Sequence, residues 1–222
     1  MKTRRLLRTA ITLYCILSLP IVLVFLKSEY VRFHAIQMVT HWKATAFGIK
    51  DAYIGDSITA GGRNWGSLFN SLNFGGNGYT TWQIENQIAS AAKSSPECIF
   101  ILAGTNDILG KRPFDPQLFE QDYLSLITRA TTETKARIIV TLIPHTSNAK
   151  YTASISAANE IILKVTHDRG IATIDLNKHI APNGTLDPKY TVDGVHLNTE
   201  AYTIWKGLIN SAINNRSSLV MK

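Results

Sequence analysis

Four short blocks hold the residues of this 222-residue chain whose types and spacing suit chemistry: Gly55-Asp56-Ser57, Asn73-Phe74-Gly75, Gly104-Thr105-Asn106 and Asp193-Gly194-Val195-His196. A serine hydroxyl is a weak nucleophile until a neighbouring base takes its proton, and that base is most often an imidazole. An aspartate three residues before the histidine can accept a hydrogen bond from the second ring nitrogen and stabilise the imidazolium. The residue types therefore predict nucleophilic catalysis by Ser57, with His196 as the base and Asp193 as its partner.

The elements around these blocks must bring them together. Apolar strands are predicted over residues 51–55, 98–104, 137–143 and 171–176, and a further short strand ends directly before Asn73. Helices are predicted over the ranges 64–72, 80–93, 115–135, 152–169 and 198–213. Apolar strands that alternate with helices indicate a parallel sheet covered on both faces. Because sites in such sheets lie at the carboxyl ends of the strands, chemistry should cluster just after residues 55, 74 and 104 and near the last crossover.

The four blocks, in this order, resemble those of the SGNH (GDSL-type) hydrolase family. The resemblance covers roughly residues 51–213. It implies one α/β domain, over residues 51–214, in which a parallel sheet is the middle of three α/β/α layers (a flavodoxin-like SGNH fold). It also implies the same catalytic roles for Ser57, Asp193 and His196.

The resemblance further implies an oxyanion hole made by the backbone N–H groups of Ser57 and Gly75 and by the side-chain amide of Asn106. A glycine lets the backbone approach the substrate closely, and an asparagine NH₂ is a neutral donor that does not compete as a base. Gly76 and Gly78 are the alternatives to Gly75 as the second donor.

Other residues with reactive side chains have simpler interpretations. Asp56 and Asp107 are predicted to be turn and scaffold residues, and Cys98 a small residue of the core. His145 follows Pro144 at a strand end, where a place in the pocket is an open alternative. The spacing of His, Cys, Asp and Glu predicts no metal site and the chain predicts no cofactor. Residues 55–59 read GDSIT, so the G-x-S-x-G nucleophile elbow is not present at this serine.

The N-terminal segment has a different character. Residues 9–26 contain no charge and follow four basic residues, Lys2, Arg4, Arg5 and Arg8. As a helix this stretch spans roughly 27 Å, which suffices for the hydrocarbon core of a bilayer. We expect a basic cytoplasmic tail (1–8), a transmembrane signal anchor (9–26), a juxtamembrane helix or linker (27–50) and a C-terminal tail (215–222). A cleaved signal peptide is the alternative, although no A-x-A site follows the apolar run.

The net charge of +7 lies mostly at the N-terminus. Residues 1–34 hold six basic residues and one acid, which leaves 17 basic and 15 acidic residues in the remainder. A domain so close to neutral predicts no nucleic-acid partner. The expected partners are the membrane, through the N-terminal helix, and a small-molecule, glycan or lipid ester as substrate. The oligomeric state is left open.

Three functions are compatible with these sequence features. The first is a membrane-anchored serine esterase with its domain outside the cytoplasm, acting on O-acetyl or other short acyl esters. The second is an O-acyltransferase that passes the acyl group to envelope glycans. The third is a catalytically silent glycan-binding module, which has no reason to keep Ser57, Asn106, Asp193 and His196 together.

Overall fold

The structure is a computed structural model, and it describes residues 50–62 and 71–214. In this part of the chain five strands form one sheet, and every neighbouring pair runs parallel. The spatial order is β2-β1-β3-β4-β5, with β1 at Asp51–Gly55, β2 at Ser71–Asn73, β3 at Cys98–Leu102, β4 at Arg137–Thr141 and β5 at Ala172–Ile174. The order reverses between β1 and β3, and crevices for ligands form at such a switch point.

Helices connect successive strands. Those between β1 and β3 are α1 at Ser57–Gly61, α2 at Thr81–Glu85 and α3 at Gln87–Ala92. The later ones are α4 at Thr105–Leu109, α5 at Pro116–Glu133, α6 at Thr152–His167, α7 at Asn177–Ile180 and α8 at Thr199–Asn214. Single 3₁₀ turns lie at Ala149–Tyr151 and Pro188–Tyr190.

Two apolar clusters hold helices against opposite faces of the sheet, because successive side chains of a strand point to opposite faces. Ile54 and Ile101 belong to the cluster that contains the buried side chains of α2, α3, α5 and α6. Tyr53 and Phe100 belong to the other, which contains buried side chains of α1, α7 and α8. Cys98 is also buried there, as predicted for a core residue. The predicted α/β fold with a parallel sheet is confirmed.

The start of α5 follows directly from its sequence. The Asp115 carboxylate accepts hydrogen bonds from the N–H groups of Gln117 and Leu118, at 3.0 and 3.1 Å. Pro116 occupies the first turn, where its missing N–H costs nothing. The helix therefore begins where an aspartate N-cap and a proline predict.

Two predicted helices differ from the structure. The prediction over residues 64–72 is wrong at its end, because Ser71 and Leu72 form β2 and pair with β1, so that sheet pairing overrides local preference. Residues 64–70 lie outside the described residues. The helix predicted over 80–93 is divided at Asn86 into α2 and α3. Gln87, at the start of α3, is buried and binds the backbone of Gly55, which fixes where the second helix begins.

The predictions for residues 1–8, 9–26 and 215–222, and for all but residue 50 of the 27–50 segment, lie outside the described residues. Within the part of the chain that is described, none of the helices has the length and apolarity needed to cross a bilayer.

Candidate active site

Ser57 lies at the turn between β1 and α1, at the carboxyl end of the sheet. The Gln87 side chain holds this turn: its Oε1 accepts from the Gly55 N–H at 2.8 Å and its Nε2 donates to the Gly55 carbonyl at 3.0 Å. A Cβ at Gly55 would collide with the Thr59 side chain and the Leu102 carbonyl. Glycine is therefore required where the chain turns towards Ser57, because the neighbouring backbone comes too close for a side chain.

Ser57, His196 and Asp193 form a continuous relay. Ser57 Oγ lies 2.9 Å from His196 Nε2, although the two residues are 139 positions apart. His196 Nδ1 lies 2.7 Å from Asp193 Oδ2. In the tautomer that carries its proton on Nδ1, the ring donates to Asp193 and leaves Nε2 as the acceptor for the serine proton. The geometry is that required for deprotonating a serine hydroxyl.

Asp193 also shapes the loop that carries His196. Its Oδ1 accepts from the backbone N–H groups of Val195, at 3.0 Å, and His196, at 2.7 Å. Partial burial opposes ionisation, but the hydrogen bonds from the His196 ring and from these two N–H groups outweigh it and lower the pKa of Asp193 to about 2. Asp193 is therefore a carboxylate throughout the neutral range, as the partner of an imidazolium must be.

Further hydrogen bonds hold the backbone of the loop that carries His196. The His196 carbonyl accepts from the Thr191 hydroxyl at 2.7 Å and from the Val192 N–H at 3.0 Å. The Gly194 carbonyl accepts from the Ser147 N–H at 2.8 Å, and Gly194 has a φ of +88°, which favours glycine. These contacts fix the backbone on both sides of a half-exposed ring.

Asn106 lies in the first turn of α4, directly after β3. Its Nδ2 donates one hydrogen to the Tyr79 carbonyl at 3.0 Å. An amide NH₂ has two hydrogens, and Asn106 lines the same cleft as Ser57 and His196. Asn106 can therefore be oriented by Tyr79 while its second hydrogen serves a developing oxyanion.

Unlike the Asn106 amide, the Gly75 backbone N–H has its single hydrogen already engaged. Its N–H donates to Asn73 Oδ1 at 2.9 Å, and the Asn73 amide in turn donates to the Thr59 carbonyl at 2.7 Å. A Cβ at Gly75 would collide with the backbone of Thr59 and Ala60, so only glycine allows this approach to α1. The Gly76 N–H is also engaged, by the Gly55 carbonyl at 2.9 Å. For Gly75 to serve an oxyanion, its N–H must be shared with Asn73 or released from it.

A cleft of about 770 Å³ joins these groups and is open to solvent. Three of the four sequence blocks contribute to its lining, and the block around Gly75 does not. The lining residues are Ser57, Ala60, Gly61, Asn77, Gly78, Thr105, Asn106, Leu109, Asp193, Val195 and His196. A second recess of about 640 Å³ shares Leu109, Asp193 and Val195 with the cleft. The structure therefore brings Ser57, Asn106, Asp193 and His196 to one cleft at the carboxyl ends of the strands, whereas the expected contribution of the Gly75 block to this cleft is not seen.

Asn106→Ala is expected to lower kcat about 10²- to 10³-fold with little change in KM, because one donor to the oxyanion is lost. Initial rates on p-nitrophenyl acetate measure the effect, with Asn183→Ala, at an exposed loop position, as the matched control. An Asn106→Ala enzyme with undiminished kcat would remove this residue from the oxyanion hole.

His145 does not line the cleft. Its backbone N–H donates to Asn177 Oδ1 at 2.8 Å. Burial lowers the pKa of the ring, against the opposing charge of Asp175. The position of His145 therefore does not support the alternative that it belongs to the pocket.

Two residues that support the backbone of the site lie outside the four sequence blocks: Gln87 and Tyr202. Gln87 lies among apolar residues on the buried face of its helix. A polar residue in such a position indicates a buried hydrogen bond, so this role could have been predicted from the sequence. The Tyr202 hydroxyl donates to the Ile58 carbonyl at 2.8 Å and supports α1 from α8. Its partner is 144 positions away, so nothing local in the sequence indicates this contact.

Asp107 is a scaffold residue, as predicted. Its Oδ2 accepts from the backbone N–H of Thr81 at 2.9 Å and from the hydroxyl of the same residue at 3.1 Å. These bonds tie the start of α2 to α4 and so hold the segment that carries the Tyr79 carbonyl beside Asn106.

The sequence matches one protein family over residues 53–204, described as the GDSL-like Lipase/Acylhydrolase family. That match covers most of the chain and includes the serine, asparagine and histidine blocks. No curated protein matches the sequence.

Solved structures share the fold. A GDSL-like lipase from Bacteroides thetaiotaomicron superposes with a TM-score of 0.70 at 22% identity, covering 82% of this chain and 98% of that one. A lipase/acylhydrolase from Enterococcus faecalis gives 0.63 at 20% identity, covering 76% and 96%. A variant of an acetyl-xylooligosaccharide esterase from Geobacillus gives 0.58 at 15% identity, covering 73% and 92%. At these identities the likeness concerns the fold.

Proposed function

Because this chain belongs to the GDSL-like lipase/acylhydrolase family, a family of ester hydrolases, we propose that it cleaves carboxylic esters through an acyl-enzyme on Ser57. The observation that carries this proposal is the relay of contacts from Ser57 Oγ to His196 Nε2, at 2.9 Å, and from His196 Nδ1 to Asp193, at 2.7 Å. A binding module gains nothing from a serine hydroxyl aligned on an imidazole that is itself aligned on a carboxylate.

In the first half of the reaction, Ser57 Oγ attacks the ester carbonyl and its proton passes to His196 Nε2. Asp193 stabilises the imidazolium without taking the proton. The tetrahedral intermediate places its negative oxygen towards the Ser57 N–H and the Asn106 amide, with the Gly75 N–H as the third donor once Asn73 shares it. The intermediate then collapses: the bond to the alcohol oxygen breaks, and the alcohol leaves with the proton from His196.

In the second half a water molecule replaces the alcohol. His196 takes a proton from the water as it attacks the acyl carbonyl, and a second tetrahedral intermediate forms in the same donor set. Its collapse breaks the bond to Ser57 Oγ, which recovers its proton from His196. The acid is released and the enzyme returns to its starting state.

The openness of the cleft supports short acyl groups as the substrate class. Each buried CH₂ contributes roughly 0.8 kcal/mol only if it is removed from water. The cleft is open, and small residues such as Ala60, Gly61 and Gly78 border it near the nucleophile. A long acyl chain would stay in contact with water there and gain little, whereas a bulky alcohol has room. We therefore infer O-acetyl or similarly short esters of a larger alcohol as the substrate class.

The N-terminal sequence supplies the proposed location. An uncharged stretch over residues 9–26 after four basic residues supports a signal anchor with the domain outside the cytoplasm. Such an enzyme would meet acyl esters on envelope glycans or lipids. A reporter enzyme fused after Lys222 should be active only outside the cytoplasm, and cytoplasmic activity would reverse the orientation.

The activity is tested with full-length protein in mild detergent and a series of p-nitrophenyl esters from acetate to octanoate. We expect Ser57-dependent hydrolysis that is fastest for acetate or butyrate and falls with chain length. Hydrolysis that survives Ser57→Ala would contradict the nucleophile, and a preference for octanoate would contradict the short-acyl inference. Addition of a glycan acceptor distinguishes transfer from hydrolysis, since acylated glycan in place of free acid would identify an O-acyltransferase.

A further inference from the structure

Asp56, directly before Ser57, is a fully buried carboxyl. Its Oδ1 accepts from the Ile58 N–H at 2.8 Å and so caps α1. Its Oδ2 is buried without a hydrogen-bond partner among the described residues. Asparagine, serine or threonine caps a helix as well as aspartate does, and a buried charge costs far more than a neutral group. Capping alone therefore does not account for an acid at this position.

Thr105 provides the complementary group. It is buried, begins α4 and directly precedes Asn106. Its Oγ1 is likewise buried without a partner within the described ranges, yet it lies near enough to Asp56 to favour the ionised carboxyl. A threonine hydroxyl rotates to suit an acceptor. A small adjustment therefore makes a hydrogen bond between the turn that carries Ser57 and the turn that carries Asn106.

The charge state of Asp56 responds to its surroundings. Burial raises the pKa of Asp56 to about 6, while the Thr105 hydroxyl, the N–H groups of Ile58 and Thr59 and the charge of His196 oppose that rise. Among the described residues, Tyr202, on α8, is another titratable group that faces this carboxyl. Burial and then the charge of Asp56 raise the pKa of Tyr202 to about 12, so that its hydroxyl stays neutral.

Resting on the proposed function, we propose that Asp56 is a positioning residue that acts as a carboxylate: it holds the Ser57 and Asn106 turns together through Thr105 and stabilises the imidazolium of His196 during acyl transfer. The active enzyme then needs Asp56 ionised and His196 neutral at the start of each turnover. Both conditions are lost on acidification.

The pH dependence of kcat/KM tests this proposal. In the wild-type enzyme protonation of the base His196 stops the reaction and protonation of Asp56 lowers its rate further, so the acid limb is steeper than a slope of one on logarithmic axes over the range in which Asp56 titrates. Asp56→Asn keeps the cap and the side-chain volume but removes the charge. We expect kcat to fall about tenfold to a hundredfold, from misalignment of the reacting groups, with little change in KM. The acid limb of the variant should have a slope of about one.

Thr105 and Asp51 supply the comparison variants. Thr105→Val removes the hydroxyl and should lower kcat about tenfold, while Thr105→Ser keeps it and should restore the rate. Asp51→Asn replaces another partly buried carboxyl, one at the start of β1 and so at the end of the sheet opposite the site, and should leave the slope of the acid limb at the wild-type value.

Thermal melting separates a folding defect from a catalytic one. The raised pKa means that folded Asp56 holds a proton between about pH 4 and pH 6 that the unfolded chain has lost, so this residue destabilises the fold as pH rises through that window. The Tm of Asp56→Asn relative to wild type should therefore increase from pH 4 to pH 7.

An Asp56→Asn enzyme with wild-type kcat and an unchanged acid limb would overturn the proposal and leave Asp56 a helix cap. A variant that melts below wild type at pH 7 would do the same, because the acid would then be structural. If the wild-type protein shows no Ser57-dependent hydrolysis, the proposed function fails first and this inference fails with it. The two failures are distinguishable because the Ser57→Ala comparison is made before the pH profile.

Discussion

Ser57→Ala is expected to reduce kcat/KM for p-nitrophenyl acetate by at least about 10⁴-fold, because the proposed acyl-enzyme forms on the Ser57 hydroxyl. Ser57 Oγ is the atom that His196 Nε2 contacts at 2.9 Å, and alanine leaves the base with no hydroxyl to deprotonate. The serine side chain is not the N-cap of α1, since Asp56 has that role. The loss should therefore appear in activity and not in stability.

The matched control is Ser156→Ala, at an exposed position on α6. It should keep wild-type rates, and both variants should melt within a few degrees of the wild type. Ser57→Ala with rates near those of Ser156→Ala would mean that another residue performs the attack. A loss of activity accompanied by a large fall in Tm would call for Ser57→Cys, which preserves the volume and offers a thiolate in place of the hydroxyl.

His196→Ala is expected to lower kcat by about 10⁴- to 10⁶-fold, close to the effect of removing the nucleophile, because the two residues act as one unit. In the proposed mechanism the ring supplies both proton transfers in each half-reaction, and Asp193 cannot replace it, since the aspartate contacts only the far nitrogen of the ring. KM should change little, because the histidine contributes to the transition state more than to substrate binding. Combining Ser57→Ala with His196→Ala should add almost nothing to either single effect.

His179→Ala, on the exposed surface of α7, is the control for removing an imidazole. It should retain wild-type kcat. Free imidazole added to His196→Ala should restore part of the lost rate without affecting the Ser57→Ala enzyme. A His196→Ala variant within tenfold of the wild type would show that a different group deprotonates the nucleophile.

The long-range geometry of the site was predictable from the sequence because of the fold class. Strands that are apolar throughout, such as Cys98–Leu102, and their alternation with helices predict a parallel sheet, and the rule for such sheets gathers strand ends at one edge. That is why Ser57 and Asn106, each directly after a strand, were expected together. The meeting of Asp193 and His196 with Ser57 came from the family resemblance, since no periodicity indicates it.

What the sequence did not indicate depends on exact distances between backbones. Residues 71 and 72 look helical by local preference, but pairing with β1 decides the outcome. The engagement of the Gly75 N–H by Asn73 arises from an Asx-type turn whose competition with an oxyanion cannot be read from residue types. Asp56 Oδ2 and Thr105 Oγ1, which have no hydrogen-bond partner in the part of the chain that is described, likewise become visible only when two turns from different strands lie side by side.

Labelling with a fluorophosphonate, followed by peptide mass spectrometry, shows whether His196 and Asp193 activate the Ser57 hydroxyl. This reagent phosphonylates activated serines and traps the nucleophile. We predict a single adduct on the peptide that contains Ser57, absent from Ser57→Ala and formed far more slowly by His196→Ala, with Asn106→Ala slowed to an intermediate degree. An adduct on another residue, or undiminished labelling of Ser57 in the His196→Ala protein, would contradict the relay from which the function is argued.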